Sequence, residues 1–355
     1  MRKKLMTVAL AVTMAVAMAI TTIAPMEEVF ASTITANNIT FDTAEELPFN
    51  TTITEGLSNS DNIRYYKFSL DEASELNIIV TSSSGGNRYF TIYDENRTPV
   101  YTDFSYSSTG TSGSFYLTGG NYYMKLQYCS KVSFSVTKAS LKESFTETQT
   151  ANNDSFDDAD VITLFTQYKG VLAQNDTEDY YKLNIPAEGK VNINLVNSTN
   201  NKIKVVIYDD SNTAVYNKEI GSGGRLDEDA TLASGTYYFM VAQSNVGSGT
   251  GSYSFKLNYI MSSPIISSVK NSGKRKMTIK WKKVDKAEGY ELQYSKHKNF
   301  NSGVVKKTFK STAKSASYSK LTKGKTYYVR IRAYGNVNGT KKYSGWSKKS
   351  VVIKK

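Results

Sequence analysis

Apolar and polar residues alternate along most of the chain. In Leu76-Asn77-Ile78-Ile79-Val80, in Val191-Asn192-Ile193-Asn194-Leu195 and in Tyr237-Tyr238-Phe239-Met240-Val241 the spacing has the period of two that half-buried strands require. The runs are short, and clusters of Asn, Asp, Ser and Gly interrupt them every ~8 to 12 residues, as in antiparallel strands joined by turns. Helical periodicity is nowhere sustained. The pattern predicts an all-β chain of tandem β-sandwiches, two of them jelly-roll-like with about eight strands each.

The first residues depart from this pattern. Arg2, Lys3 and Lys4 precede an apolar run from Leu5 to Ile20, and Val29-Phe30-Ala31 offers a small-x-small cleavage site. Residues 1–31 are expected to be an export signal, with the mature chain starting near Ser32. The run is short for a bilayer span. No Cys follows it to carry a lipid, and Val351 to Lys355 forms neither an apolar tail nor a wall-sorting signal, so covalent anchorage is not expected.

The mature chain matches itself at an offset of 115 residues. Asn37-Asn38-Ile39-Thr40-Phe41 lies over Asn152-Asn153-Asp154-Ser155-Phe156, Tyr65-Tyr66-Lys67-Phe68 over Tyr180-Tyr181-Lys182-Leu183, and Gly120-Asn121-Tyr122-Tyr123 over Gly235-Thr236-Tyr237-Tyr238. Only the last hairpin slips, after an insertion around Gly247 to Gly251. Two copies of one module are therefore predicted at 33–140 and 152–260, with 141–151 as linker and a third module at 264–355.

Composition narrows the chemistry. The 355 residues include 26 Tyr and 15 Phe but one His and one Cys, so multi-histidine metal sites and intrachain disulfides are excluded. Cys129 is expected in a strand of the first copy and His297 in a solvent-facing loop between Lys296 and Lys298, too far apart in the layout to form a catalytic pair. Small sandwiches without long loops provide no walled cleft, and no enzymatic activity is expected. Charge divides the chain sharply. Residues 261–355 hold 25 Lys and Arg against Asp285, Glu288 and Glu291, a net +22, while residues 32–260 hold 16 against 27 acidic residues, a net −11.

Two resemblances follow from these motifs. Asn-Asn-Asp-Ser-Phe at 152–156, Asp176-Thr-Glu-Asp179-Tyr-Tyr and Gly235-Thr-Tyr-Tyr are similar to the bacterial pre-peptidase C-terminal domain family, which includes the collagen-binding modules of clostridial collagenases. The resemblance covers 33–260 in two copies, more clearly in the second. It implies non-catalytic sandwiches attached to secreted or surface proteins, several of them calcium-binding. The third segment resembles a fibronectin type III domain. Met277-Thr-Ile-Lys-Trp281 matches its strand B, Gly289-Tyr-Glu-Leu-Gln-Tyr-Ser295 strand C, Tyr327 to Tyr334 strand F, and Tyr343-Ser-Gly-Trp346-Ser the start of strand G. Leu321 followed by Tyr327 resembles its tyrosine corner. Along strand F, Tyr327, Val329, Ile331 and Ala333 are expected inward, and Arg330 or Arg332 outward, stacked on Trp346.

Calcium is the site chemistry that the first resemblance implies, at Asn153, Asp154, Asp176 and Asp179. The upstream glutamates of collagenase-type members are not matched, because Gln149 and Ala151 stand there. In copy one Ile39 and Arg64 replace Asp154 and Asp179, so Ca²⁺ is expected in the second copy only. The competing reading is that these Asp and Asn residues cap turns. Copy one instead gains Phe104, Tyr106, Tyr116 and Tyr128, of which Tyr106 and Tyr128 are candidates for a recognition surface; core filling is the alternative. Lys274, Arg275 and Lys276 are the candidate anion-binding residues of the basic module. The sequence thus points to a secreted or surface-associated binding or adhesion protein. Its basic module is expected to hold an anionic wall polymer, polysaccharide or matrix component, or to contact the acidic modules. The alternative is an accessory subunit that targets a separate secreted protease or glycosidase.

Overall fold

Strands form wherever the period-two pattern runs. The computed structural model describes residues 38–55, 63–82, 87–106, 111–128, 132–147, 152–245 and 249–354. The export segment and Cys129 lie outside them. Copy one consists of β1 (Glu45–Glu46), β2 (Thr52–Glu55), β3 (Ile63–Leu70), β4 (Ser74–Ser82), β5 (Asn87–Asp94), β6 (Pro99–Tyr106), β7 (Thr111–Leu117), β8 (Gly120–Tyr128) and β9 (Val132–Ser140). Copy two repeats them as β10 (Asp160–Val161), β11 (Gln167–Leu172), β12 (Glu178–Ile185), β13 (Gly189–Asn197), β14 (Ile203–Asp209), β15 (Ala214–Ile220), β16 (Arg225–Leu232), β17 (Gly235–Gln243) and β18 (Gly251–Met261).

The two copies share one topology. Sheets ordered β1-β3-β8-β5-β6 and β2-β9-β4-β7 in the first correspond to β10-β12-β17-β14-β15 and β11-β18-β13-β16 in the second. Each copy has nine strands where about eight were expected. The additional pair is β1 and β10, two-residue strands running parallel to β3 and β12, too short to show alternation. Elsewhere the alternation is plain: β13 buries Val191, Ile193 and Leu195 and turns Lys190, Asn192 and Asn194 outward. Gly120 and Gly235 open equivalent strands at φ 156. Two residues beyond each, a tyrosine hydroxyl donates back to the chain, Tyr122 to Thr118 O at 2.9 Å and Tyr237 to Ala233 O at 3.3 Å.

The third module contains β19 (Ile266–Gly273), β20 (Lys276–Trp281), β21 (Gly289–Ser295), β22 (Val305–Lys310), β23 (Ser315–Tyr318), β24 (Thr326–Val337), β25 (Thr340–Tyr343) and β26 (Ser347–Val352). β19-β20-β23 face a sheet in which β24 pairs with β21, β25 and β26. Tyr327, Val329, Ile331 and Ala333 are buried as expected, and Tyr327 Oη accepts from Thr322 N at 3.0 Å. Arg330 and Arg332 flank Trp346 at 4.3 and 4.4 Å. One assignment is corrected. Tyr343 ends β25 and β26 begins only at Ser347, because Ser344 interrupts the ladder by accepting from Ala333 N at 2.8 Å through its own hydroxyl.

The modules join differently at their two seams. Copy one has a core of its own, and the β11–β12 turn reaches it through reciprocal bonds, Gln174 N to Tyr116 O at 3.0 Å and Tyr116 N to Gln174 Oε1 at 2.7 Å. Asn175 Nδ2 donates to Thr118 Oγ1 and Tyr122 Oη at 2.9 and 3.1 Å. Copy two and the basic module instead share one continuous apolar cluster. There Met261 packs so close to Gly335 that an added Cβ would meet its Cε at 2.8 Å.

Candidate metal centre

The end of copy two nearest copy one gathers carboxylates that are distant in sequence. Asp176 closes the β11–β12 turn, where Ala173 and Asp176 form an isolated bridge, and Asp179 is the second residue of β12. Glu147 arrives from the connection between the copies. Ligand oxygens of Glu147, Asp176 and Asp179 all lie within 4.8 Å of one another, and all three residues are buried. Beside them sit Asn153, itself buried, and Asp154, half-buried.

Six oxygens here are buried without a hydrogen-bond partner: Glu147 Oε2, Asn153 Oδ1, Asp154 Oδ1, both of Asp176 and Oδ1 of Asp179. Leaving buried charged groups unpaired costs several kcal/mol each, so carboxylates in this state call for a counter-charge. The remaining bonds orient the set. Asn153 Nδ2 donates to Asp160 Oδ2 at 3.0 Å, which turns its carbonyl oxygen towards the cluster. Tyr253 donates to Asp179 Oδ2, and Tyr181 and Tyr253 share a hydroxyl bond of 2.6 Å. Gly170 provides the room, since a Cβ there would meet Tyr253 Oη at 2.3 Å and Tyr181 Oη at 2.7 Å.

The electrostatics agree with this geometry. Burial, then the charge of Glu147, pushes Glu143 up to about 9. Burial also raises Glu147 to about 7, with Asp154 and Asp160 adding repulsion. Asp176 is raised well above the carboxylate range by burial and by Asp179, and Asp179 by burial and Glu147. A donor set of carboxylate and amide oxygens, without His or Cys, fits a hard divalent cation of the calcium kind rather than zinc.

Sequence reasoning brought Asn153, Asp154, Asp176 and Asp179 to one corner, and the structure places them there. It missed Glu147 and Glu143. Gln149 and Ala151, which stand where the resemblance has its upstream glutamates, lie outside the described residues, while Glu147 supplies a carboxylate from the connecting segment. The available signal was the pair Glu143 and Glu147 in a linker otherwise rich in Thr. In copy one Ile39 is 43% exposed whereas Arg64 is buried, its Nη1 donating to Ile63 O at 2.8 Å.

Other candidates scatter. The backbones of Tyr106 and Tyr128 end β6 and β8, while their side chains, like that of Phe104, lie outside the described residues. Tyr116 belongs to the seam with copy two. Lys274 and Arg275 form the exposed turn between β19 and β20 and exposed Lys276 opens β20, but Arg275 Nε donates to Leu321 O at 2.7 Å and so serves the turn itself. His297 is exposed. Among the described residues no helix is long and apolar enough to cross a membrane.

Residues 262–350 match the family model of the fibronectin type III domain. Collagenase ColA of Clostridium perfringens (strain 13 / Type A) is 26% identical over 229 residues, 61% of this chain and 21% of that protein. Collagenase ColT of Clostridium tetani (strain Massachusetts / E88) is 26% identical over 239 residues, 62% and 23% of the respective chains. The chain thus spans less than a quarter of the length of these relatives. Among solved structures, the pre-peptidase C-terminal domain of a Bacillus anthracis collagenase covers 28% of this chain and 94% of that one, with 22% identity and a TM-score of 0.26. A computationally redesigned β-sandwich protein covers 27% and 92%, with 20% identity and a TM-score of 0.24. The chain thus carries a fibronectin type III domain at residues 262–350, after two β-sandwiches, and is similar over about three-fifths of its length to clostridial collagenases.

Proposed function

We propose that the protein is an exported, non-catalytic binding protein. A calcium ion braces its second sandwich, held by Glu147, Asp176 and Asp179 with Asn153 and Asp154, and its basic module retains it on an anionic wall or matrix polymer. The observation that carries the retention reading is electrostatic. Among the described residues each ion pair lies within one module, so no described carboxylate of the acidic modules pairs with the cations that give residues 261–355 their +22. The seam is held by hydrogen bonds such as Glu188 N to Asp285 O at 3.2 Å and Asn338 Nδ2 to Leu164 O at 2.9 Å, and by Lys342 over the ring of Phe165 at 5.3 Å. A field of this sign attracts polyanions and is screened within about 8 Å at physiological ionic strength.

The test is co-sedimentation of the mature chain with purified walls, with and without teichoic acid, across a salt series. Retention should fall as salt rises, and Lys274→Gln with Lys276→Gln should lower it further without changing the melting temperature. Retention indifferent to salt and to teichoic acid would reject the charge mechanism. A second reading, an accessory protein that brings a secreted hydrolase to its substrate, is favoured by relatives that are collagenases matched over 21% and 23% of their length. Binding to collagen fibrils in preference to walls would select it.

A further inference from the structure

Across the five-stranded sheet the two copies carry equivalent rows, Lys67-Tyr123-Tyr93 in copy one and Lys182-Tyr238-Tyr208 in copy two, that differ at the edge strand beside the lysine. In copy one Glu46 stands opposite Lys67, and the two form an ion pair at 3.2 Å. In copy two the register is kept, but Val161 stands opposite Lys182. The carboxylate is gone. The Lys182 ammonium faces the ring of Tyr238 at 5.5 Å, and Val161 is 71% exposed. An exposed apolar side chain in place of a charge, on a strand at a sheet edge, runs against the usual protection of such edges.

Both residues line a cleft of about 380 Å³ where copy two meets the basic module. Thr163, Asn184 and Thr236 from copy two and Asn336 from the basic module add hydroxyl and carboxamide groups to its walls, and none of its lining residues is acidic. The volume falls within the ~300 to 1,000 Å³ of small-ligand sites, which favour domain interfaces. The cleft is preformed, because the seam is fixed on either side of it. Asn338 holds Leu164 O at 2.9 Å, Ser234 Oγ donates to Asp285 Oδ2 at 2.9 Å, and the two cores are continuous.

We infer that this cleft binds a uronic acid unit of an acidic oligosaccharide. The carboxylate takes the place next to Lys182 that Glu46 occupies in copy one, as a charge-assisted bond. The C–H face of the sugar ring covers Val161. The ring hydroxyls, each both donor and acceptor, match the amides of Asn184 and Asn336 and the hydroxyls of Thr163 and Thr236. An acidic peptide would satisfy Lys182 but would offer those four groups only its backbone N–H and C=O, without an apolar ring face for Val161. None of these residues belongs to the exposed lysine turn invoked for wall retention, so the two sites fail independently.

The experiment is calorimetric titration of the full mature chain, at physiological salt, with a short oligogalacturonate, its carboxyl-reduced neutral counterpart and a glutamate-rich peptide. The oligogalacturonate should bind, and the neutral sugar and the peptide should bind at least about tenfold more weakly, the worth of one charged hydrogen bond. Val161→Glu, which restores the ion pair of copy one, and Lys182→Gln should each weaken oligogalacturonate binding by about the same factor. Both positions are exposed, so melting temperatures should stay unchanged. Lys274→Gln with Lys276→Gln should leave the titration untouched even where wall retention is lost. No binding of the oligogalacturonate, equal binding of the neutral sugar, preference for the peptide, or indifference to both variants would overturn the assignment.

Discussion

The two sandwiches are the same fold solved twice, and one corner separates them. Copy two places Asp179 in β12 with Gly170 opposite Tyr253. At the equivalent register copy one places Arg64 in β3 with Glu55 opposite Val132. A buried carboxylate has become a buried guanidinium, and the glycine and tyrosine that orient the carboxylate have gone with it. The lesson is one of charge balance: a corner that collects acidic groups needs a cation, which can arrive as an ion or be built into the chain. In copy one the buried cation belongs to the chain itself: Arg64 is permanently charged and requires nothing from solution.

The largest effect that would break this comparison is removal of calcium. At ~100 times its dissociation constant, calcium should stabilise the unit holding the site by roughly 2.7 kcal/mol. Because copy two and the basic module share a core, calorimetry should show that unit melting as one transition that moves with calcium, and copy one melting as another that does not. Equal shifts in both transitions would refute the assignment to copy two. Asp179→Asn should abolish the shift, yet in chelator it should raise stability, since it removes one of the repelling charges.

Arg64→Met is the reciprocal test and should cost copy one about 2 kcal/mol, the scale of losing charged hydrogen bonds in a buried site. Calcium should not rescue it. Rescue by calcium would mean that copy one keeps a latent ion site.

A smaller effect is the pH dependence of the chelated protein. Glu147 is raised to about 7 in the folded state, against an unfolded value of about 4. The folded chain therefore binds more protons than the unfolded one between these values, and stability falls as pH rises across that window. Asp176 and Asp179, also raised, act in the same direction. Saturating calcium, which favours the charged forms, should remove or reverse the slope. A flat urea-denaturation profile from pH 4 to 7 in chelator would contradict the repulsion on which the site is argued. The smallest effect concerns the seam. Gln174→Ala with Asn175→Ala should loosen copy one from copy two at a cost of about 1 kcal/mol per bond lost, seen as a broader distribution of distances between spin labels on the two copies, with both melting transitions in place.

Much of this was legible without coordinates, for a definite reason. The strand alternation of β13, the offset that aligns Tyr66 with Tyr181, and the turn-closing Tyr327 are properties of neighbouring residues, so the sequence carries them directly. The fibronectin-like strands follow from the same local rule, and so did the stacking of the β24 arginines on Trp346. Composition alone determined that the charge is split between acidic and basic modules. Tertiary structure decided the rest. Glu147 joins Asp176 and Asp179 only because the connecting segment folds back over the β11–β12 turn, and Ser344 divides β25 from β26 only because its hydroxyl meets Ala333 across the strand. The loss of Glu46 opposite Lys182 becomes meaningful once the basic module closes a cleft over that spot. Alternation fixes which face a side chain takes, but contacts between distant segments depend on how sheets and modules dock, and that is settled by packing between surfaces that no short stretch of sequence contains.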